Sequence, residues 1–169
     1  MTSLAFGGTG LLFTNVNNQF TIMNGGRGSA TFNKRYTFGG AGWGMPKGIE
    51  LESNKKDTFE MFKFGYGGLE FGYIIFPGEK MTFGTNLLVA YGAGFKETMP
   101  KSKNGDFKMF PVLEPSIYTQ IPLGKLFRID IGATYRYVAG ANFPFINSQK
   151  MSGFSAYFAI LVGTCKCGE

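Results

Sequence analysis

The chain has 169 residues and a formal net charge of +6; Gly supplies 26 residues and Phe 19, while charged residues make up only 17%. Glycine at about twice its usual ~7% weakens helices and suits turns, bulges and crowded barrel walls. The lack of a Gly-X-Y period excludes collagen, an apolar content of 44% excludes disorder, and no run approaches the ~18 apolar residues of a membrane helix.

Taken in order, the chain alternates with period two, the pattern of strands exposed on two unlike faces. Leu4 to Thr14 is a glycine-rich strand pattern whose faces the residues leave open. Met1-Thr2-Ser3 runs straight into it, consistent with removal of a targeting segment. Gln19 to Phe32 sets Phe20 and Ile22 against Gln19, Thr21, Arg27, Ser29 and Thr31. Asn33-Lys34 is a short turn. Arg35 to Met45 is a further strand, again too rich in glycine to assign faces, and Pro46 to Thr58 is a longer polar connection. Phe62 to Phe76 sets Leu69, Phe71, Tyr73 and Ile75 against Gly68, Glu70 and Gly72. After the turn Pro77 to Lys80, Met81 to Lys96 sets Met81, Phe83, Leu87, Val89, Tyr91 and Phe95 against Thr82, Gly84, Asn86, Gly92 and Gly94. Leu88 is the apolar exception on that second face. The connection Glu97 to Asp106 precedes Phe107 to Ile121, where Met109, Leu113, Ile117 and Ile121 oppose Glu114, Ser116, Tyr118 and Gln120. The turn Pro122 to Lys125 leads into the clearest stretch, Leu126 to Ala139. There Phe127, Ile129, Ile131, Ala133, Tyr135 and Tyr137 oppose Arg128, Asp130, Gly132, Thr134 and Arg136. Gly140 to Ser152 connects to a last strand, Phe154 to Thr164.

A soluble sandwich or a lipocalin-like barrel would also alternate, with its apolar face inward. Here the polar face combines arginines and acids with very small residues, as a narrow polar lumen would. The strands exceed the ~5–6 residues usual in soluble sheets and suit the ~9–11 of a tilted membrane strand. Short and long connections alternate, like the periplasmic turns and outer loops of a transmembrane barrel. The expected fold is therefore all-β: one domain over 1–169, a transmembrane antiparallel up-and-down barrel of about eight strands with a filled polar lumen. An even strand count places both termini on the periplasmic side.

Arg27, Glu70, Glu114, Arg128, Asp130 and Arg136 should point into that lumen, three positive and three negative. Buried charges are costly unless paired, so they are expected to form a salt-bridge plug, with Glu114 paired to Arg136 on the adjacent strand. A narrow ion path is the functional alternative. Pro111 and Pro115, four apart in one strand, remove ladder donors toward the same neighbour. A bulge or weak seam is expected there, with a partner-docking seam as the sharper reading. Trp43, Tyr73, Tyr91, Tyr135 and Tyr137 are candidates for interfacial aromatic girdles.

The chain contains no His. That removes Ser-His-Asp and Cys-His catalysis and the commonest metal ligand. No catalytic, cofactor-binding or metal site is expected, no cofactor is implied, and the chain does not read as an enzyme. Glycine runs such as Gly7-Gly8-Thr9-Gly10 lack the following helix and the Gly-Lys-Ser/Thr of a phosphate loop. Cys165 and Cys167 form a terminal Cys-x-Cys pair, which is half a zinc site, a redox pair, or simply two thiols. The positive charges form no basic run or helix face, which argues against nucleic acid. Anionic headgroups, including those of lipopolysaccharide, are the expected partners.

Four runs also carry a family likeness: Gly65-Tyr66-Gly67-Gly68-Leu69-Glu70, Val112-Leu113-Glu114-Pro115, Phe127-Arg128, and Ala133-Thr134-Tyr135-Arg136-Tyr137-Val138-Ala139-Gly140. In these the sequence resembles the small outer-membrane β-barrel proteins of Bacteroidetes. The resemblance implies an integral outer-membrane barrel of the OmpA or OmpX kind and says little about activity. The chain departs from such barrels at its end, which runs Thr164-Cys165-Lys166-Cys167-Gly168-Glu169 where an aromatic-terminated strand is usual. A structural role, either free in the membrane or as accessory subunit of a larger outer-membrane assembly, is the first expectation. Ligand binding or adhesion through outer loops that carry Lys101 and Lys103, and a narrow pore, are the alternatives.

Overall fold

The computed structural model describes residues 4–51, 59–99, 107–144 and 146–165, with backbone alone for 4, 51, 59–60, 97–99 and 164–165. Lys101, Lys103 and Cys167 lie outside the described residues, and nothing is described of the Cys165 side chain.

The period-two segments are strands: β1 (Leu4–Val16), β2 (Gln19–Phe32), β3 (Tyr36–Gly44), β4 (Ile49–Leu51), β5 (Phe59–Pro77), β6 (Thr82–Met99), β7 (Phe107–Leu123), β8 (Phe127–Val138) and β9 (Gly153–Cys165). A short helix, α1 (Ser148–Met151), precedes β9. The strands pair in the order β3-β2-β1-β9-β8-β7-β6-β5-β4, and β3 also pairs with β5, which closes the sheet. β3 and β4 lie along one edge of β5, at Tyr36–Gly44 opposite Tyr73–Gly65 and at Ile49–Leu51 opposite Phe62–Glu60. They form one stave broken at 45–48, so the barrel has eight. Pro46 causes the break, since it offers no ladder donor.

The barrel has two unlike ends. The outer ends of β1 and β9, at Leu4 and Cys165, and the turns at 33–35, 78–81 and 124–126 lie at one, the turn end. The other, the loop end, carries the connections after β1, β4, β6 and β8. The first of these is not a loop but the two-residue turn Asn17-Asn18, with φ of 52° and 61°. Two successive left-handed residues make the twist that tight hairpins require, and Asn tolerates it.

Burial follows parity and is inverted relative to a soluble barrel. On β7 the inward series Phe110, Val112, Glu114, Ser116 and Tyr118 is buried, while Met109, Leu113 and Ile117 are exposed. Exposed Leu, Phe, Ile, Val and Tyr recur around the outside on every long strand, most sparsely on glycine-rich β1. Charge thus sits inside and hydrocarbon outside, the arrangement of a barrel solvated by lipid.

The lumen is filled. Large inward aromatics lie over glycines of the adjacent strand: Phe110 over Gly92, Tyr118 over Gly84 and Tyr157 over Gly132. A Cβ at each glycine would come within 2.5 Å of the aromatic side chain. Towards the loop end Phe62, Phe64, Tyr66, Phe110 and Trp43 form an apolar plug. The last connection folds down onto it. Phe143 meets Phe62 edge-on at 5.2 Å, and Ala141, Ile146 and Met151 are buried. Asn147 caps α1 by accepting from Lys150 N. The Ser148 and Ser152 hydroxyls accept from Ala141 N and Val138 N, so this loop is bonded into the barrel's mouth.

Candidate functional site

β2, β5 and β8 each place one inward charge at mid-barrel, and these three meet. Arg27 Nη2 donates to Glu70 Oε2 at 2.6 Å, and its Nη1 donates to the Tyr157 hydroxyl. Asp130 Oδ2 lies 3.1 Å from Nη1, an ion pair whose angle does not make a hydrogen bond. With its amide oxygen turned toward the guanidinium, Asn86 also accepts from Nη2 and donates to the Thr85 carbonyl at 3.0 Å. The Tyr157 ring lies 4.8 Å from the guanidinium carbon and the Tyr118 ring 5.9 Å. Arg27, Glu70 and Asp130 are all nearly or fully buried. One arginine thus balances two carboxylates in a buried site walled by Tyr157 and Tyr118, a setting in which charge-assisted bonds are strong and an unpaired charge is costly.

A second cluster lies nearer the loop end. The expected Glu114–Arg136 pair does not form directly: the Tyr66 hydroxyl donates to Glu114 Oε2 instead. Arg136, fully buried, donates from Nε to Met151 O (2.8 Å) and from Nη2 to Thr14 Oγ1 (3.1 Å). Its guanidinium stacks 5.3 Å from the Phe64 ring and 5.7 Å from Tyr66. Tyr66 therefore stands between acid and base. The two residues stand opposite each other in the β7–β8 alignment, but each is taken up by other partners: Arg136 by Met151 O of the infolded loop and by Thr14, and Glu114 by Tyr66. Arg128 is half-buried toward the turn end, 4.0 Å over the Phe6 ring and 3.5 Å from Gln120 Oε1.

Sequence reasoning does not single out Tyr66, Tyr157, Asn86 or Thr14 as functional. Their signal is parity: Tyr66 shares the face of Glu70, and Asn86 that of Gly84. Trp43 is a correction. It is not an interfacial anchor but 4% exposed, its ring 6.0 Å from that of Tyr157. β3 turns its odd residues Ala41 and Trp43 inward and the glycines at 40, 42 and 44 outward. Tyr73, Tyr91, Tyr135 and Tyr137 are on the outer surface. Tyr36, paired edge-on with Tyr73 at 5.5 Å, is the outward aromatic that β3 supplies in place of Trp43.

The structure has a gap at Pro115 rather than a bulge, and none at Pro111. The β6–β7 register is continuous from Phe95 opposite Phe107 to Thr82 opposite Gln120. The β7–β8 register keeps its alignment but skips Glu114 and Pro115, passing from Leu113 opposite Tyr137 to Ser116 opposite Thr134. Pro111 O still accepts from Ala139 N at 3.1 Å, so both prolines direct their missing donors to β8. The Thr134 hydroxyl takes over at Pro115 O, at 2.8 Å. Outside the gap lies a shallow depression of about 250 Å³ lined by Pro115, Ile117, Ala133, Tyr135 and Phe154, among others. A true register shift occurs elsewhere, between Ile74 and Phe76 on β5.

Among the described residues no three Cys, Asp or Glu side chains stand together to hold a metal. No protein-family model matches the chain, and no curated protein matches it in sequence. Its fold is similar to the N-terminal β-barrel domain of Pseudomonas aeruginosa OprF (TM-score 0.64, 8% identity, 95% of this chain and 96% of that one). It is also similar to Ail, the attachment invasion locus protein of Yersinia pestis, in complex with the heparin analogue sucrose octasulfate (0.62, 13%, 96% and 97%). A major outer membrane protein from Thermus thermophilus is a third (0.62, 8%, 95% and 98%). At these identities the likeness is one of fold: the eight-stranded barrel of outer-membrane proteins.

Proposed function

We propose that this chain is an integral outer-membrane protein, one domain over 1–169 with periplasmic termini, that serves as a closed structural barrel or accessory subunit rather than as an enzyme or pore. The observation that carries this reading is the sealed lumen. Its buried charges are held by one another, by Tyr66, Tyr157 and Thr14, and by backbone, and aromatic side chains with the infolded loop close the mouth. An accessory role is supported by the β7–β8 gap at Glu114 and Pro115, where the lipid-facing wall offers a depression to a neighbour. The resemblance to barrels of Bacteroidetes rests on the sequence runs alone, since the similar folds come from other bacteria.

The test is purification from native outer membranes in mild detergent, with mass and composition read by native mass spectrometry. Stoichiometric recovery with a larger protein supports the accessory role. A lone species supports the self-sufficient barrel and removes the accessory reading. Recovery in the aqueous phase without detergent overturns the membrane assignment.

A second reading is favoured by the exposed Lys47, Lys108 and Lys150 at the loop end. That end would bind polyanions, lipopolysaccharide included. The fold it shares with Ail, which was solved with a sulfated heparin analogue, is compatible with this. Retention on immobilised heparin at low salt, lost when these lysines become Gln, would support it; passage without retention would remove it.

A further inference from the structure

Opposite the loop end, the outer wall between β3 and β5 carries a built cation that neither reading uses. Residues Phe32 to Arg35 form a tight turn with Asn33 and Lys34 left-handed (φ 49° and 58°) and Arg35 N bonded to Phe32 O at 3.1 Å. Ile74 N donates to Arg35 O at 2.7 Å, which fixes the backbone against β5. The side chain is fixed too: Arg35 Nη1 donates to the Tyr73 hydroxyl at 2.9 Å, and the guanidinium carbon lies 5.9 Å from that ring. Lys34 and Arg35 are exposed, and the neighbouring β5–β6 turn adds Lys80 and Glu79, which offset each other.

Beneath this cation the outward side chains form an apolar path in register. Tyr36 pairs with Tyr73 and Phe38 with Phe71, with ring centroids 5.5 and 5.2 Å apart. Gly40 then faces Leu69, so the wall below the rings is low on the β3 side. An anchored guanidinium above two exposed aromatic pairs matches an amphiphile with a phosphate head and a hydrocarbon tail. Arginine binds phosphate through several N–H groups at once, and only one here is used by Tyr73. Aromatics at this depth mark the boundary between headgroup and hydrocarbon.

We infer that Arg35, held by Tyr73, and the Tyr36–Tyr73 and Phe38–Phe71 pairs form a binding site for an anionic phospholipid in the leaflet at the turn end. The inference rests on the membrane reading above, and its test separates the two. The full chain is assembled into nanodiscs of phosphatidylcholine with a minor share of phosphatidylglycerol. Lipids that stay bound after gentle release are counted by native mass spectrometry. The wild type is expected to retain phosphatidylglycerol in excess of its share. Arg35→Gln should lower that enrichment about fivefold, the worth of one cation near a membrane surface. Tyr73→Phe, which frees the guanidinium, should lower it less, and Lys80→Gln should leave it unchanged. Assembly of both proteins with equal enrichment would overturn the site while leaving the membrane reading intact. Failure of the wild type to enter the discs would overturn both. Loss of the enrichment on adding millimolar inorganic phosphate would make this a free-anion site and overturn the lipid assignment. A co-purified protein covering Tyr36 and Phe71, found by cross-linking, would overturn it as well.

Discussion

Removal of Arg27 leaves two buried carboxylates, Glu70 and Asp130, without a cation. Arg27→Met should cost about 3–5 kcal/mol, the usual penalty for breaking a buried pair from one side. Equilibrium urea unfolding in lipid vesicles measures it, and a loss under about 1 kcal/mol, the size of an ordinary hydrogen bond, would mean that the carboxylates find other partners. Tyr66 is the second residue on which much depends. Tyr66→Phe takes the tyrosine hydroxyl donor from the buried Glu114 carboxylate, at a cost of about 1–3 kcal/mol. Glu114→Gln retains an acceptor for the Tyr66 hydroxyl, so its thermal midpoint in detergent should fall less than that of Tyr66→Phe. The reverse order would point to direct pairing of Glu114 with Arg136. Parity in the sequence puts all of these residues inside. It does not say which charges meet, because strands distant in sequence come together only through the stagger of a closed barrel: Arg27 and Asp130 sit on β2 and β8, which are not neighbours in the sheet.

At the scale of elements, most strand positions are legible because alternation is strong wherever one face is apolar and the other polar. β3 is not legible in this way: with Gly39, Gly40, Gly42 and Gly44 on both faces, nothing in the pattern says that Trp43 turns inward. The first hairpin is a second case. Asn17-Asn18 is a tight turn at the loop end, where the alternation of short and long connections implies a loop. The β7–β8 gap gives a direct test. Pro115→Ala restores an N–H opposite the Tyr135 carbonyl and should raise stability by about 1 kcal/mol, a typical hydrogen bond. It should also slow amide exchange at 114–116 and 134–136. Unchanged exchange would show that the Thr134 hydroxyl already holds this seam closed.

Among the described residues the bore of the barrel is filled, and this bears on function. Protein in a planar lipid bilayer should give no stepwise conductance. Regular steps in the wild type would require the Phe62–Phe110–Phe143 plug to open, and would revive the pore reading. Phe143 belongs to the connection between β8 and β9, which reads in the sequence, over Gly140 to Ser152, as a plain outer loop. In the structure it is core, since Ala141, Ile146 and Met151 are buried with it and Arg136 bonds Met151 O. Recognition through the loops would then fall to the others and to the lysines at the rim.

The sequence by itself determined the class of the molecule: period-two hydrophobicity with charge on the small-residue face has one stable outcome, a closed barrel with polar lumen and apolar exterior. It also set which charges face the lumen, because in a strand every second residue must share a face. Only the tertiary structure decided which of those charges pair, how Pro111 and Pro115 are accommodated, and which loop fills the mouth. These depend on strand stagger and on contacts between residues far apart in sequence, such as Arg27 with Tyr157, and local alternation carries no record of them.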